Sequence, residues 1–286
     1  MKAQIVFTPT ESKKLIAKAI LQMKEVTAAL QEGLVVMHPS TSTYFVFEEL
    51  TGQKPDMEVW LSGAIVKKGL CMEWGSYSQM KKGYLATPGH FPYSWIIKGK
   101  KLQPQKSIDE LCQTLGERDV YLKGVNALDP QGNAGVLIGS MAEGTIGRIV
   151  AAAKKRNFKI IYPVGLEKLI PVSIEKASKE TGSNKKIEYS MGIPCSLMPV
   201  PGITVTEIDA FRILSGIDAL PISAGGLGGA EGAIVLLLQG EEAAVRQGVE
   251  LAESVKGAKM RVVRNPECPD CIFPTCRFAG TKKHWV

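Results

Sequence analysis

An α/β fold built on an open, mostly parallel sheet is the class this sequence predicts, and three observations predict it. Short apolar runs of strand length, at 34–37, 120–122 and 159–164, alternate with longer segments whose apolar residues recur at helical spacing. Gly, Asn, Asp and Pro bound the runs, as expected where strands feed crossover helices. A chain of 286 residues, 45% apolar and 22% charged, has ordinary globular composition and enough length for a good core, in one domain or, as expected here, two.

Taken in order, Thr8-Pro9-Thr10-Glu11 has the form of a capping box with proline at the first helical position. Leu15, Ile16, Ala19, Ile20, Met23, Val26 and Leu30 follow at three- and four-residue spacing, predicting one amphipathic helix, or two short ones in line, ending near Gly33. Residues 34–37 read as a short buried strand, 38–43 as a polar loop and 44–50 as a helix. Residues 60–100, rich in glycine and aromatics, read as irregular strands. Ser107, with Glu110 three residues on, opens a helix leading to the next strand. The stretch 119–140, DVYLKGVNALDPQGNAGVLIGS, reads as a buried strand, a tight loop and the start of a helix at Gly139-Ser140. Residues 141–156 are helical by their alanines and apolar spacing, and 159–164 form a strand.

Beyond about residue 170 the order becomes strand 197–204, helix 206–215, strands 217–223 and 233–238, helix 241–256 and strand 259–263. This βαββαβ order matches the ferredoxin-like α+β arrangement. The expected organisation is an α/β domain with an open, mostly parallel sheet at 1–170, a ferredoxin-like domain at 171–264 and a Cys-rich tail at 265–286.

Composition narrows the function classes. The net charge of +7 comes from scattered lysine pairs, a solvated surface that could also attract small anions. No nucleic-acid-binding motif is present. No apolar run reaches eighteen residues, so no membrane span is expected, and the N-terminal segment lacks the apolar core of a secretory signal. The expected location is cytoplasmic.

Two loops carry candidate chemistry. At 38–43 a strand runs into Ser and Thr at a helix start, offering amide and hydroxyl donors and a favourable dipole to an anion; helix capping is the alternative. His38 sits at its mouth. The stretch 119–140 marks the crevice beyond a strand's carboxyl end, where open parallel sheets bind ligands. Together the loops resemble the superfamily of ribose-5-phosphate isomerase, glucosamine-6-phosphate deaminase, methylthioribose-1-phosphate isomerase and the CoA-transferases, over roughly residues 10–165. Gly124-Val125-Asn126 stands where the methylthioribose-phosphate branch has G-A-D, Gln131-Gly132 where it has N-G, and Gly139-Ser140 where it has G-T, without gaps. Sugar-phosphate-sensing domains of that fold carry a similar turn. Lys123 precedes Gly124 much as a lysine precedes glycines in ribose-5-phosphate isomerase.

This resemblance implies a ligand held by His38, Ser40, Thr41, Ser42, Thr43, Lys123, Gly124 and Asn126, with Gly139 and Ser140 closing the site. Asn126 replaces the family's acid and Val136-Leu137 its N-K pair, and an amide cannot shuttle a proton as a carboxylate does. The leading expectation is therefore a cytosolic binding or sensor protein for a small phosphorylated or carboxylated metabolite. The alternative is an isomerase with a displaced carboxylate, Asp129, Glu143 or Glu73, or a CoA-transferase using Glu73 or Glu231. An enzyme should bring such a carboxylate to the crevice with a raised pKa; a sensor should not. A homo-oligomer is expected, since ferredoxin-like domains often pair by their sheets.

The tail carries CPDCIFPTC, with Cys268, Cys271 and Cys276 in a C-x2-C-x4-C array. In a cytosolic chain such an array points to a metal, zinc or an iron–sulfur cluster, more than to disulfides. A fourth ligand is sought among His284, Cys195, a partner chain or solvent. Cys71, Cys112 and Cys195 read as isolated small hydrophobes.

Overall fold

The computed structural model describes residues 1–55, 63–81, 94–139, 144–181, 187–260, 264–273 and 275–282, and shows a mixed α/β fold. Its centre is a six-stranded sheet in the order β12 (Ile203–Val205), β10 (Lys159–Pro163), β7 (Val120–Leu122), β2 (Val35–Met37), β5 (Trp95–Lys98) and β6 (Lys101–Gln103). The first four strands are mutually parallel, and β5 and β6 continue the sheet antiparallel.

Both faces of this sheet are buried, and the period-two alternation of strand side chains explains the near-continuous apolar runs in the sequence. Val35, Met37, Val120, Leu122 and Ile161 face one core with α1 (Pro9–Ile20), α2 (Lys24–Glu32) and α3 (Thr41–Thr51). Val36, Tyr121, Ile160 and Tyr162 face the other with α5 (Ile108–Thr114) and α6 (Gly144–Arg156). The expected 9–33 helix is two, interrupted at 21–23. Capping boxes at Thr8/Glu11, Ser107/Glu110 and Thr206/Asp209 start α1, α5 and α8 (Glu207–Ser215).

Two regions differ from the sequence reading. After β7 the chain forms a hairpin, β8 (Ala127–Leu128) with β9 (Ala134–Ile138), where a loop running straight into a helix was expected; α6 begins at Gly144. The elements expected to make one ferredoxin-like sheet are divided among three. β11 (Ser196–Val200) pairs with β9, β12 joins β10, and β13 (Asp218–Gly225) pairs with β14 (Ala233–Gln239). The cause is Pro201-Gly202, which splits the expected 197–204 strand. Gly202 has φ +155°, and a Cβ there would lie 2.5 Å from Tyr162 Cε2, so the backbone turns tightly over β10. The chain thus crosses the boundary expected at residue 170, returning to the central sheet through β12. A helix, α7 (Ile174–Thr181), also forms where none was expected.

The third strand beside β13 and β14 comes from the other end of the chain. β1 (Lys2–Phe7) lies antiparallel to β14, with Lys2 opposite Gln239 and Phe7 opposite Ile234. α8 and α9 (Glu242–Ser254) share its core. Glu11 fastens the corner, accepting from Lys256 Nζ at 2.8 Å and Gly257 N–H at 2.9 Å. The expected final strand at 259–263 is absent at 259–260, and 261–263 lie outside the described residues. Among the described residues no helix is long and apolar enough to cross a membrane.

Phe7 is fully buried, its ring 6.1 Å from that of Phe211. Phe7→Ala should therefore destabilise the protein by about 3–5 kcal/mol in urea unfolding, while Val6→Ala, 49% exposed, should change little. Equal effects would argue against β1 as a core strand.

Candidate functional site

Parallel pairing brings the carboxyl ends of β2, β7, β10 and β12 to one edge, and backbone bonds keep the departing loops in step. His38 N–H donates to Leu122 O at 2.8 Å, Lys123 N–H to Ile161 O at 3.1 Å and Val164 N–H to Val205 O at 3.0 Å. Loop 38–43 therefore lies beside loop 123–126, as the sequence reading required, and loop 164–168 and the start of α8 follow along the same edge.

Ser40 caps α3. Its Oγ accepts from Thr43 N–H at 3.1 Å and stands 2.9 Å from Thr43 Oγ1, which donates to His38 O at 2.7 Å. Ser42 is 1% exposed, and its Oγ makes no hydrogen bond among the described residues. Gly124 is packed against this turn: a Cβ there would lie 2.7 Å from Ser40 Oγ and 3.9 Å from Ser42 Oγ. Glycine is thus required for close approach of the two loops, with its φ playing no part.

Behind this contact lie ionisable groups. Burial pushes the Lys123 ammonium down to about 8, helped by the nearby charge of Lys168. Lys168, also lowered to about 8 by burial, donates to Val125 O at 2.7 Å. Lys13 Nζ stands 3.1 Å from Glu167 Oε1, and neither Glu167 oxygen accepts a hydrogen bond among the described residues, so its charge is met by ion pairing. Glu207 is fully buried, and desolvation pushes its carboxyl up to about 7 despite a 2.9 Å bond from Leu166 N–H and one with Ser12. Gly165 makes room for both acids: a Cβ there would meet Glu167 Oε2 at 1.8 Å and Glu207 Oε1 at 3.2 Å. Three lysines, serine and threonine hydroxyls and a helix N-terminus can hold an anion, and Glu207 can exchange a proton near neutrality.

The remaining expected residues have other places. His38 is buried, its Nδ1 3.3 Å from Tyr121 Oη, and burial with Lys123 nearby holds its pKa well below the ordinary value; it sits at the edge as a neutral group. Asn126 Oδ1 accepts from Leu137 N–H at 3.0 Å, which fixes the β8–β9 hairpin. Asp129 is a turn residue: it accepts from Gln131 N–H, Asn133 N–H and Nδ2, and Ile174 N–H, and these bonds, outweighing burial, lower its pKa. A base tied this way is not poised to take a proton. Gly139 follows β9 with Ile193 and Cys195 as its nearest neighbours, away from the Ser40 turn, because the hairpin carries it off. Thr41 begins α3. Ser140, Glu143 and His284 lie outside the described residues.

Glu73 is buried just before α4 (Trp74–Lys81), next to the tail. Glu231 is exposed on the glycine loop between β13 and β14 and accepts from Gly229 N–H at 3.0 Å. That loop borders the cluster: a Cβ on Gly232 would lie 3.6 Å from Glu167 Cβ. In the tail Cys268 is buried, and Cys271 and Cys276 are partly so. Among the described residues no three His, Cys, Asp or Glu side chains stand in metal-binding geometry.

Sequence reasoning missed Lys13, Glu167, Lys168 and Glu207. Lys13 lies within α1 and Glu207 opens α8, positions where a charged residue is ordinary. The one available signal was the charged pair Glu167-Lys168 directly after a buried strand.

Glu207 carries a linked stability effect. Its folded pKa, about 7, lies above the ordinary glutamate value of 4.5, so its favourable contribution is complete below that lower value and is lost as pH rises through 7. Glu207→Gln should raise the melting temperature by a few degrees, on the order of 3 kcal/mol or less, at pH 8 and by much less at pH 5. A pH-independent difference would contradict this.

No protein-family model matches the chain, and no curated protein matches it.

Proposed function

We propose that the protein is a cytosolic binding or sensor protein for a small phosphorylated or carboxylated metabolite, held at the shared carboxyl edge of β2, β7 and β10. The observation that carries this reading is the tight contact between Gly124 and the Ser40–Thr43 turn, with Lys168 Nζ donating to Val125 O beside it at 2.7 Å and Lys123, next to Gly124 in the chain, near Lys168. Two ammonium groups held near one another, with Glu167 acting on Lys168, leave positive charge that an incoming anion would offset. Ser42 Oγ adds an unsatisfied hydroxyl, and the first turn of α3 adds amide donors. This is the ligand chemistry that a sugar-phosphate-isomerase-like fold would place here.

A second reading, proton-transfer catalysis of the isomerase type, is favoured by Glu207, whose carboxyl titrates near 7 at the same edge. It meets the condition set for an enzyme, though with a carboxylate outside the expected set. Glu73 and Glu231 give no support to a CoA-transferase, since one lies against the tail and the other is exposed with its carboxylate turned to its own loop.

Titration calorimetry with inorganic phosphate, acetate and a series of sugar phosphates tests the binding reading. Lys123→Met and Lys168→Met should each weaken binding by about tenfold or more, the worth of one charge-assisted hydrogen bond. Affinity should hold below pH 7 and fall as pH rises through about 8, where both lysines lose their protons. Binding indifferent to both variants, or strengthening with pH, would sink the site. Turnover of a bound sugar phosphate, abolished in Glu207→Gln with binding retained, would decide for the enzyme.

A further inference from the structure

The tail's three cysteines leave a tetrahedral ion one ligand short. The fold supplies another thiol from far along the chain. β3 (Ala64–Val66) and β4 (Gly69–Cys71) form a hairpin ending at Cys71, and the tail folds back over it. Lys68 Nζ donates to Pro266 O at 2.6 Å, Asn265 Nδ2 to Met72 O at 3.0 Å and Trp74 N–H to Arg264 O at 2.7 Å. Tyr77, 2% exposed, grips the next turn, its hydroxyl donating to Asp270 O at 3.0 Å and accepting from Ile272 N–H at 3.2 Å.

Within the tail, Cys271 N–H donates to Cys268 O at 3.2 Å, closing a turn with Pro269 at its second position, and Gly280 N–H donates to the same oxygen at 2.7 Å. Cys71, Cys271 and Cys276 consequently line one small pocket over Tyr77, and Cys268 is close enough to Cys271 and Cys276 to interact electrostatically. The free space there is about 10 Å³, room on the scale of a single ion. Lys68 lies near both Cys71 and Cys268 and would offset the negative charge of a four-thiolate ion.

A second observation is independent of the sulfurs. None of the three apolar core clusters includes a described residue of 63–81 or 264–282. Tyr77, Cys268 and Phe278, among their buried side chains, lie outside those clusters, so the two segments meet over a small apolar contact that a metal staple would reinforce. The thiols do not stand at ligating distance from a common point among the described residues, so chelation requires side-chain rotation within the pocket three of them already share.

We propose that Cys71, Cys268, Cys271 and Cys276 form a tetrahedral four-thiolate site for one zinc ion that fastens the tail to the β3–β4 hairpin and α4. The site is structural, with no coordination position left for a substrate. Cys195 is not part of it; its thiol is directed to Ile193 O at 3.5 Å, and its sulfur lies 3.4 Å from the Cβ position of Gly139.

The test is elemental analysis and thiol alkylation, read by mass spectrometry, on the full chain purified anaerobically. About one zinc per chain is expected. Cys71, Cys268, Cys271 and Cys276 should resist alkylation until a chelator is added, while Cys112 and Cys195 respond identically with and without it. Because this readout uses the unaltered chain, it stands even if a variant misfolds. Cys71→Ser and Cys268→Ser should each lose the zinc, and Cys195→Ser should keep it. Protein without stoichiometric zinc, or with Cys71 equally reactive before and after chelation, would overturn the proposal. Iron with sulfide and visible absorbance would overturn the single-ion assignment.

Discussion

The structure depends on one constraint: β2, β7 and β10 must pair in parallel with both faces covered. Three consecutive apolar residues in β2 and in β7 can be buried only if alternate side chains reach separate cores. Parallel strands then end at the same edge, and every loop leaving that edge must fit beside its neighbours. Gly124 is one place where the fit is tight, and a side chain there would push back the Ser40 turn. The polar edge is therefore a by-product of the core's geometry.

Charge burial at that edge has a cost, met only in part. Lys13 and Glu167 pair, Lys168 bonds a backbone carbonyl, and Glu207 accepts from a backbone amide. Lys123 and Lys168 still lie near one another, and Glu167 adds to the burial that raises Glu207. A core optimised for stability alone would replace such groups by apolar residues at little or no cost. Such groups at a sheet's carboxyl edge are what the proposed binding site would use.

What could be read in the sequence follows from the range of the interactions. Capping boxes, helix periodicity and the strands at 35–37, 120–122 and 159–163 are local and were legible. So was the adjacency of loops 38–43 and 123–126, because parallel pairing of successive strands implies it. The ferredoxin-like reading failed at Pro201-Gly202, a local breaker whose effect was to send β11 and β12 to different sheets. Asn126 and Asp129 looked like site residues because turn residues and ligand residues share side-chain types; only their bonds to Leu137 and Ile174 separate the two roles. Lys13, Glu207 and Cys71 were illegible because each reaches its setting through contacts with distant segments. Cys71, alone among apolar neighbours, gave no hint that CPDCIFPTC folds beside it.

The pairing of β1 with β14 bears on how the chain is made. Lys2 faces Gln239, so during synthesis β1 has no ladder partner until β14 has been made. Until then Phe7 lacks Phe211 and the core beneath it, and an apolar strand edge stays open to neighbouring chains. Closing so long a loop also slows folding, since its entropy is lost before the ladder forms. The central parallel strands, complete by Val205, can assemble earlier. Docking of β1 onto β14 is then a late event, and the interval before it is when this chain is most exposed to aggregation and to chaperones.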